Sequence, residues 1–557
     1  MAKHYVRDVR ITPTGFSQEG AMPNYSVLIY HFLRTCGFEW IWECDGNAGD
    51  NPTHIDDGNM ETVGVGDWAD VGTPTTKQKV TTPIRQGTQA LEIVSSDTGE
   101  GVQSNGLVST RANTDYHIAV WANNNSGANW EVWWYDGAGP LVKAGDISSD
   151  GAYQAYHFDV TTAGSGTPYI QIISGFSGSQ TIHIDGIIIF ESYFEYAGLH
   201  DEGTDGSITN PDQFTSPSDY TFSSSDIGRY VCVYDSTNPT NSGCYEITGE
   251  SAGTVTLDLK STTGTLTTQA SLAFRVIDLD SASVPVSTNM ENWIRSVGWG
   301  LESPHASGWR VFFRHSLENG QTNKAIIVWA APEDTEYDYE TGTFLDSGPS
   351  TQRGYDDPYD FDGTGNLHCW AGGYDATVAY GQRFFLMMED DFSFFTFVQY
   401  SSDPSPSHGV FFVGYTGADP YNTGIMEFDL CCRSDFSTAN MLSWANTNAW
   451  GRDIVTFAPD GHAAPGLLAQ LGYGVSSSGI FNQAGNIANP FSSEEWLVPI
   501  HTTRYGEGES PEGSFKPWSI GMYQSRSNIT DMTTFDSEQY MHFDLGLVWA
   551  WNGYDLT

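Results

Sequence analysis

The sequence is short of lysine. Only seven of its 557 residues are lysine: Lys3, Lys77, Lys79, Lys143, Lys260, Lys324 and Lys516. Lysine and arginine together number 23 against 69 acidic residues, a formal net charge of −46. Such a chain repels phosphate, which argues against nucleic acid as a partner and, equally, against an anionic membrane surface. No stretch approaches 18 uncharged apolar residues, so no membrane insertion through a spanning helix is expected. Cysteine is sparse too. The seven cysteines include no Cys-x-x-Cys pair, which argues against a structural zinc site. An odd number cannot all pair within one chain, and Cys232–Cys244, on what read as adjacent strands, is the one disulfide the sequence suggests. Also missing are a nucleophile elbow, a His-Glu-x-x-His motif, a phosphate-binding loop and a dinucleotide fingerprint. The serines of Gly474-Val-Ser-Ser-Ser-Gly479 are wrongly spaced for the first of these. The opening MAKHYVRDVRITPTGF has neither the apolar stretch nor the cleavage site of a secretory signal, so export by that route is not expected.

What abounds is punctuation. Sixty glycines and 24 prolines exclude long helical bundles and coiled coils, and predict short strands joined by turns. Hydrophobic residues at 39% and aromatics at 14% suffice for packed cores, and the length suits about three or four domains. Abundant acid with little lysine is a surface suited to high salt, where screening removes self-repulsion and hydrated carboxylates keep the protein soluble. A halophilic or marine setting is therefore expected, against the plainer reading of an acidic protein from a moderate one.

The expected fold is mainly β and multidomain: a jelly-roll sandwich and a small β domain, inserted in or followed by a larger β-rich domain with a few short helices. In residues 1–57, Ser26 can cap a helix through Arg34 that stops at Gly37 and runs into the strand FEWIWE. His31-Phe-Leu-Arg-Thr-Cys-Gly-Phe38 is echoed by Asn292-Trp-Ile-Arg-Ser-Val-Gly-Trp299. The echo predicts that 1–57 and 284–557 fold together, with 58–283 inserted between them. Residues 58–195 alternate as sandwich strands do: Tyr116, Ile118 and Val120 oppose His117, Ala119 and Trp121, and Trp130, Val132 and Trp134 oppose Glu131, Trp133 and Tyr135. Residues 196–283 read as a smaller β domain. Residues 284–557 are strand-rich, with short helices expected at 437–444 and 465–471.

The 58–195 segment carries Asn59-Met-Glu61 with Trp68, then Gly87-Thr-Gln-Ala-Leu-Glu-Ile93, Tyr116-His-Ile-Ala-Val-Trp121 and Ile182-His-Ile-Asp-Gly-Ile187. In these it resembles a carbohydrate-binding module of the family 4/9 type, a jelly roll. The resemblance implies sugars stacked on Trp121, Trp133 and Tyr135, with Glu131 among the polar groups that bind hydroxyls. The alternative is that one face of the sandwich is core and the other is covered by a neighbouring domain.

Two further stretches are similar to parts of tailed-phage virion proteins. One runs Ser225-Asp-Ile-Gly-Arg-Tyr230, Asn241-Ser-Gly-Cys-Tyr-Glu-Ile247 and Thr254-Val-Thr-Leu257; the other is the ending from Gly513 through Tyr540 to Trp549-Ala-Trp-Asn-Gly553. That resemblance implies a structural protein of a virion assembled in the host cytoplasm, tail- or baseplate-associated, or else a capsid decoration or vertex appendage. Its partners would be other virion proteins, further copies of itself in a symmetric assembly, and a host surface glycan. Sixty-nine acids offer accidental carboxylate pairs, so a glycan-degrading enzyme remains the alternative, while no catalytic residue is singled out. No cofactor is expected beyond a candidate Ca2+ loop at Asp360, Asp362 and Asn366, which departs from the EF-hand spacing and reads equally as a solvated acidic loop.

Overall fold

The computed structural model describes residues 3–11, 21–45, 55–279 (apart from 59, 86–87, 107–108, 150, 210, 239–240 and 260–265), 297–305 and, from 310 onward, the strands and position 392. The architecture is mainly β. Strand β1 (Lys3–Ile11) precedes helix α1 (Ala21–Thr35), the only α-helix among the described residues, and β2 (Glu39–Asp45) follows it. Val27, Leu28, Ile29, Tyr30, Phe32 and Leu33 are fully buried, so this helix is sequestered on all sides. It ends as the sequence suggests. Gly37 takes φ +90°, Phe38 N–H donates to Leu33 O and Gly37 N–H to Arg34 O, closing a left-handed C-terminal cap. Its start differs from expectation. The helix begins five residues before Ser26, whose hydroxyl instead accepts the buried indole N–H of Trp299 at 2.7 Å.

The sandwich comprises β3 (Trp68–Val71), β4 (Thr76–Val80), β5 (Ala90–Ser95), β6 (Gly101–Ser104), β7 (Asp115–Asn124), β8 (Trp130–Tyr135), β9 (Val142–Ile147), β10 (Tyr153–Thr161), β11 (Tyr169–Ser174) and β12 (Gln180–Glu191). They form two five-stranded antiparallel sheets, ordered β10-β7-β12-β5-β4 and β3-β6-β11-β8-β9. Between them lie Trp68, Tyr116, Ile118, Val120, Trp130, Val132, Trp134, Ile170, Ile172, Ile182, Ile184 and Ile189, all fully or nearly fully buried. Each such side chain contributes about 1.5–3 kcal/mol on leaving water. The period-two pattern read from β7 and β8 is the pattern of this core.

Strands β13 (Leu199–Thr209), β14 (Gln213–Thr215), β15 (Tyr230–Tyr234), β16 (Gly243–Ser251), β17 (Thr254–Asp258) and β18 (Gln269–Ile277) close into a barrel in the order β13-β14-β17-β16-β15-β18. Val231, Val233, Tyr245, Ile247, Phe274 and Val276 fill it. Cys232 and Cys244 face each other across β15 and β16 with Cα atoms 4.0 Å apart and form the suggested disulfide.

Strand β19 (Val297–Glu302) pairs antiparallel with β2, in a sheet continued by strands 310–317, 323–331 and 369–375. Strand β1 pairs with strand 381–389. The helix expected at 465–471 is instead a strand, Ala463–Gln470, hydrogen-bonded to strands on both sides. Pairing on two edges overrides the local preference of Leu467 and Leu468. The helix expected at 437–444 and the echo at 292–296 fall outside the described residues.

One carboxylate joins three units. Glu195, just after β12, accepts from Arg34 Nη2 at 3.1 Å, Arg275 Nη2 at 2.7 Å and the Tyr30 hydroxyl at 2.8 Å. Sandwich, helix and barrel therefore meet at one ionic hub. Burial alone would push the Glu195 carboxyl up, but Arg34 and Arg275 outweigh it and hold it well below the usual carboxylate range.

Candidate functional site

Strand β8 reads Trp-Glu-Val-Trp-Trp-Tyr. Its even members enter the core, while Glu131, Trp133 and Tyr135 are left half-buried on the outer face of the sheet. Pairing sets their neighbours. Tyr135 lies opposite Tyr169, Trp133 opposite Gln171 and Glu131 opposite Ile173 on β11, and Gln171 lies opposite Gln103 on β6. Because β11 also alternates, Tyr169, Gln171 and Ile173 are half-buried on this same face. The face thus runs from an aromatic pair through Trp133 to a carboxylate, flanked by a band of amides.

The polar groups are tied down. Trp133 Nε1–H donates to Glu131 Oε2 at 2.9 Å, and Lys143 Nζ on β9 donates to Glu131 Oε1 at 2.9 Å. Lys143 also pairs with Asp146 at 2.7 Å. Gln171 Nε2–H donates to Gln103 Oε1 at 2.9 Å. Tyr135 and Tyr169 stack with centroids 4.6 Å apart and planes 26° from parallel. Burial pushes the Glu131 carboxyl up, but hydrogen bonds from Lys143 and Trp133 prevail and hold it below the usual range. Glu131 is therefore an ionised acceptor at neutral pH.

Of the residues singled out in the sequence, Glu131, Trp133 and Tyr135 come together here. Trp121 does not join them. It lies on β7 in the opposite sheet and is 1% exposed. Arg85 sits 4.8 Å from its ring centroid and pairs with Glu302 of β19 at 2.6 Å, while the bulge in β12 brings Gly186, at φ +130°, against the ring's edge. The grouping of Trp121 with Trp133 and Tyr135 on one face is therefore corrected: for Trp121 the alternative holds, a face covered by a neighbouring part of the chain. Tyr169, Gln171, Gln103 and Lys143 were missed by the sequence reading, although the alternation Tyr-Ile-Gln-Ile in β11 could have revealed the first two. The candidate Ca2+ loop at Asp360, Asp362 and Asn366 lies outside the described residues. Among the described residues no group of three or more His, Cys, Asp or Glu side chains is placed to hold a metal.

No family model matches the chain, and no curated protein does. Among solved structures, a family 61 carbohydrate-binding module in complex with β-1,4-galactotriose is similar at 14% identity, over 25% of this chain and 99% of that one, with a TM-score of 0.20. The family 22 xylan-binding domain from Paenibacillus barcinonensis is similar at 12% identity, over 24% of this chain and 90% of that one, with a TM-score of 0.20. The enzymatically active domain of tailspike protein 4 of bacteriophage CBA120 is similar at 12% identity, over 25% of this chain and 22% of that one, with a TM-score of 0.21. Likenesses this low carry no functional weight.

Proposed function

We propose that the outer face of β8, β11 and β6 binds a glycan and does not cleave it. The observation that supports this most directly is Trp133, a half-exposed indole whose neighbours across the sheet are Gln171 and Gln103 and whose strand partner is the ionised Glu131. A pyranose offers a C–H face to an indole and hydroxyls at its rim, and this face supplies both kinds of partner. Stacking on an exposed aromatic contributes about 1 kcal/mol beyond area burial, so each contact is weak. Glu131, held ionised, serves as an acceptor for hydroxyls and not as a general acid.

Affinity electrophoresis of the full chain in gels containing neutral polysaccharides tests the reading. Retardation in at least one gel is expected, and Trp133→Ala should weaken it by about tenfold while leaving thermal stability unchanged, because the side chain is outside the core. Retardation in none, or retardation indifferent to Trp133→Ala, would overturn the proposal.

The setting we propose is a tailed-virus particle, on the tail or baseplate, with capsid decoration or a vertex appendage as the second placement. Many copies would turn feeble single contacts into firm attachment to a host surface. Antibody to residues 58–195 should then label purified particles in immunogold electron microscopy; protein found only free in the lysate would refute this setting without touching the glycan site.

A further inference from the structure

The opposite face of the sandwich holds four titratable side chains in a row. Asp159 Oδ1 of β10 is 2.9 Å from His117 Nδ1 of β7. His117 Nε2 is 2.8 Å from His157 Nδ1 of β10, and His157 Nε2 is 3.0 Å from Glu39 Oε1 of β2. Three of the four belong to the sandwich, and Glu39 belongs to the strand paired with β19. Trp40, next along β2, stacks on His117 with centroids 3.8 Å apart.

Counting protons fixes the charge of this row. Three hydrogen bonds need three protons, one in each gap, and two neutral imidazoles bring only two. The row is complete only when the imidazoles hold one proton beyond neutrality. Burial, the largest effect, drives the His117 pKa down to about 4 despite the help of Asp159, so His117 keeps a single proton. With that proton turned to Asp159, His117 Nε2 accepts from His157 Nδ1–H, and the third proton fills the gap between His157 Nε2 and Glu39. The hydrogen bond from His117, foremost, keeps Asp159 below the usual carboxylate range and anionic.

We propose that the Asp159–His117–His157–Glu39 row is a pH-gated latch that holds the sandwich against β2, closed while the two imidazoles share one extra proton and opened by gain or loss of one. On the alkaline side two protons cannot fill three gaps, and the exposed His157–Glu39 link is the one given up. On the acid side a second proton reaches His117 near pH 4, N–H then faces N–H, and the 2.8 Å contact cannot persist. The other groups packed around His117 do not replace the lost links. Phe190 of β12 is apolar, the Tyr196 hydroxyl is committed to Asp159 Oδ2 at 2.9 Å, and Glu195 is neutralised by Arg34 and Arg275. The latch lies on the other sheet from Trp133 and stands independently of glycan binding.

Hydrogen–deuterium exchange of the full chain between pH 4 and pH 9, corrected for intrinsic rates, tests it. The amides of β2 should show protection that rises and then falls with pH, relative to those of β11, with an amplitude of about tenfold, the effect of one charge-assisted hydrogen bond. His157→Gln, at a partly exposed position, should flatten that profile. Glu39→Gln, which keeps an acceptor and removes the charge, should lower the maximum by several-fold. A β2 profile without a maximum, or one that His157→Gln leaves intact, would overturn the latch.

Discussion

Removing the carboxylate of Glu195 should cost more than removing either of its cations. The hub holds one carboxylate against two guanidiniums, with side chains only 10%, 20% and 7% exposed for Glu195, Arg34 and Arg275. In Glu195→Ala both guanidiniums stay buried without that anion, and the Tyr30 hydroxyl loses its acceptor. Breaking a buried pair from one side costs about 3–5 kcal/mol. Here about 3 kcal/mol is expected, because Glu202 Oε2 remains 2.8 Å from Arg275 and offsets part of the loss. In Arg275→Met the Glu195–Arg34 pair survives one to one and His31 loses a cationic neighbour, so about 1 kcal/mol is expected. The assay is native-state hydrogen exchange of the α1 amides, which reads opening at this junction without requiring a chain of several units to unfold in one step. Arg275→Met costing as much as Glu195→Ala, or Glu195→Ala costing under about 1 kcal/mol, would refute the reasoning.

Acid should destabilise the junction before it titrates most carboxylates. Burial foremost, with Arg275, lowers the His31 pKa to about 3, while Nε2–H donates to Ala197 O and Nδ1 accepts from Arg275; His117 is lowered to about 4. Both bind protons more readily when unfolded, so what these two histidines contribute to stability is constant above about pH 6.5 and falls as pH drops toward 4, at about 1.4 kcal/mol per unit for each. Calorimetry in steps from pH 7 to pH 4.5 should show the fall, and His117→Phe should reduce its slope; a midpoint constant over that range would contradict it. Trp121→Ala is the control for the glycan face: it should cost about 3–5 kcal/mol as a cavity in a buried layer and leave polysaccharide retardation unchanged.

Much of the sandwich was legible because one physical rule, alternation, governs it. Tyr116, Ile118 and Val120 could be assigned to a face from the sequence, and so could Trp130, Val132 and Trp134. Alternation does not say which outer face stays open. That information was present elsewhere, in β12. Its run Ile187-Ile-Ile-Phe190 is apolar at every position, the mark of a strand covered on both sides. Strand β12 pairs with β7, placing Ile188 opposite Ala119 and Phe190 opposite His117, so the face carrying Trp121 had to be covered. Strand β11 opens with Tyr169 and Gln171 outward against Ile170 and Ile172 inward and pairs with β8, which leaves the Trp133 face open. Pairing partners are not readable from one strand at a time. The strand at Ala463–Gln470 was misread for the same reason, since its conformation is decided by two neighbours distant in sequence.

The scarcity of lysine acquires a second meaning once partners are known. Every lysine and arginine whose side chain is described pairs with a carboxylate: Arg34 and Arg275 with Glu195, Lys77 with Asp70, Lys79 with Asp57, Arg85 with Glu302, Arg111 with Glu191, Lys143 with Glu131, and Arg229 with Asp226. Several of these pairs join distant segments and are largely shielded from solvent: Lys79 and Asp57 are 6% and 0% exposed, and Arg85 and Glu302 are 13% each. The excess charge, by contrast, consists of carboxylates that no described cation neutralises. Added salt therefore acts unequally on the two populations. It screens repulsion among exposed carboxylates beyond a Debye length of about 8–10 Å, while shielded pairs are screened much less. For a chain charged to −46, the first effect favours the compact state more than the second opposes it. The same asymmetry bears on ligand charge at the outer face: Lys143, its described cation, already serves Glu131 and Asp146, so an anionic sugar would meet repulsion there without a free counter-charge, and a neutral one would not.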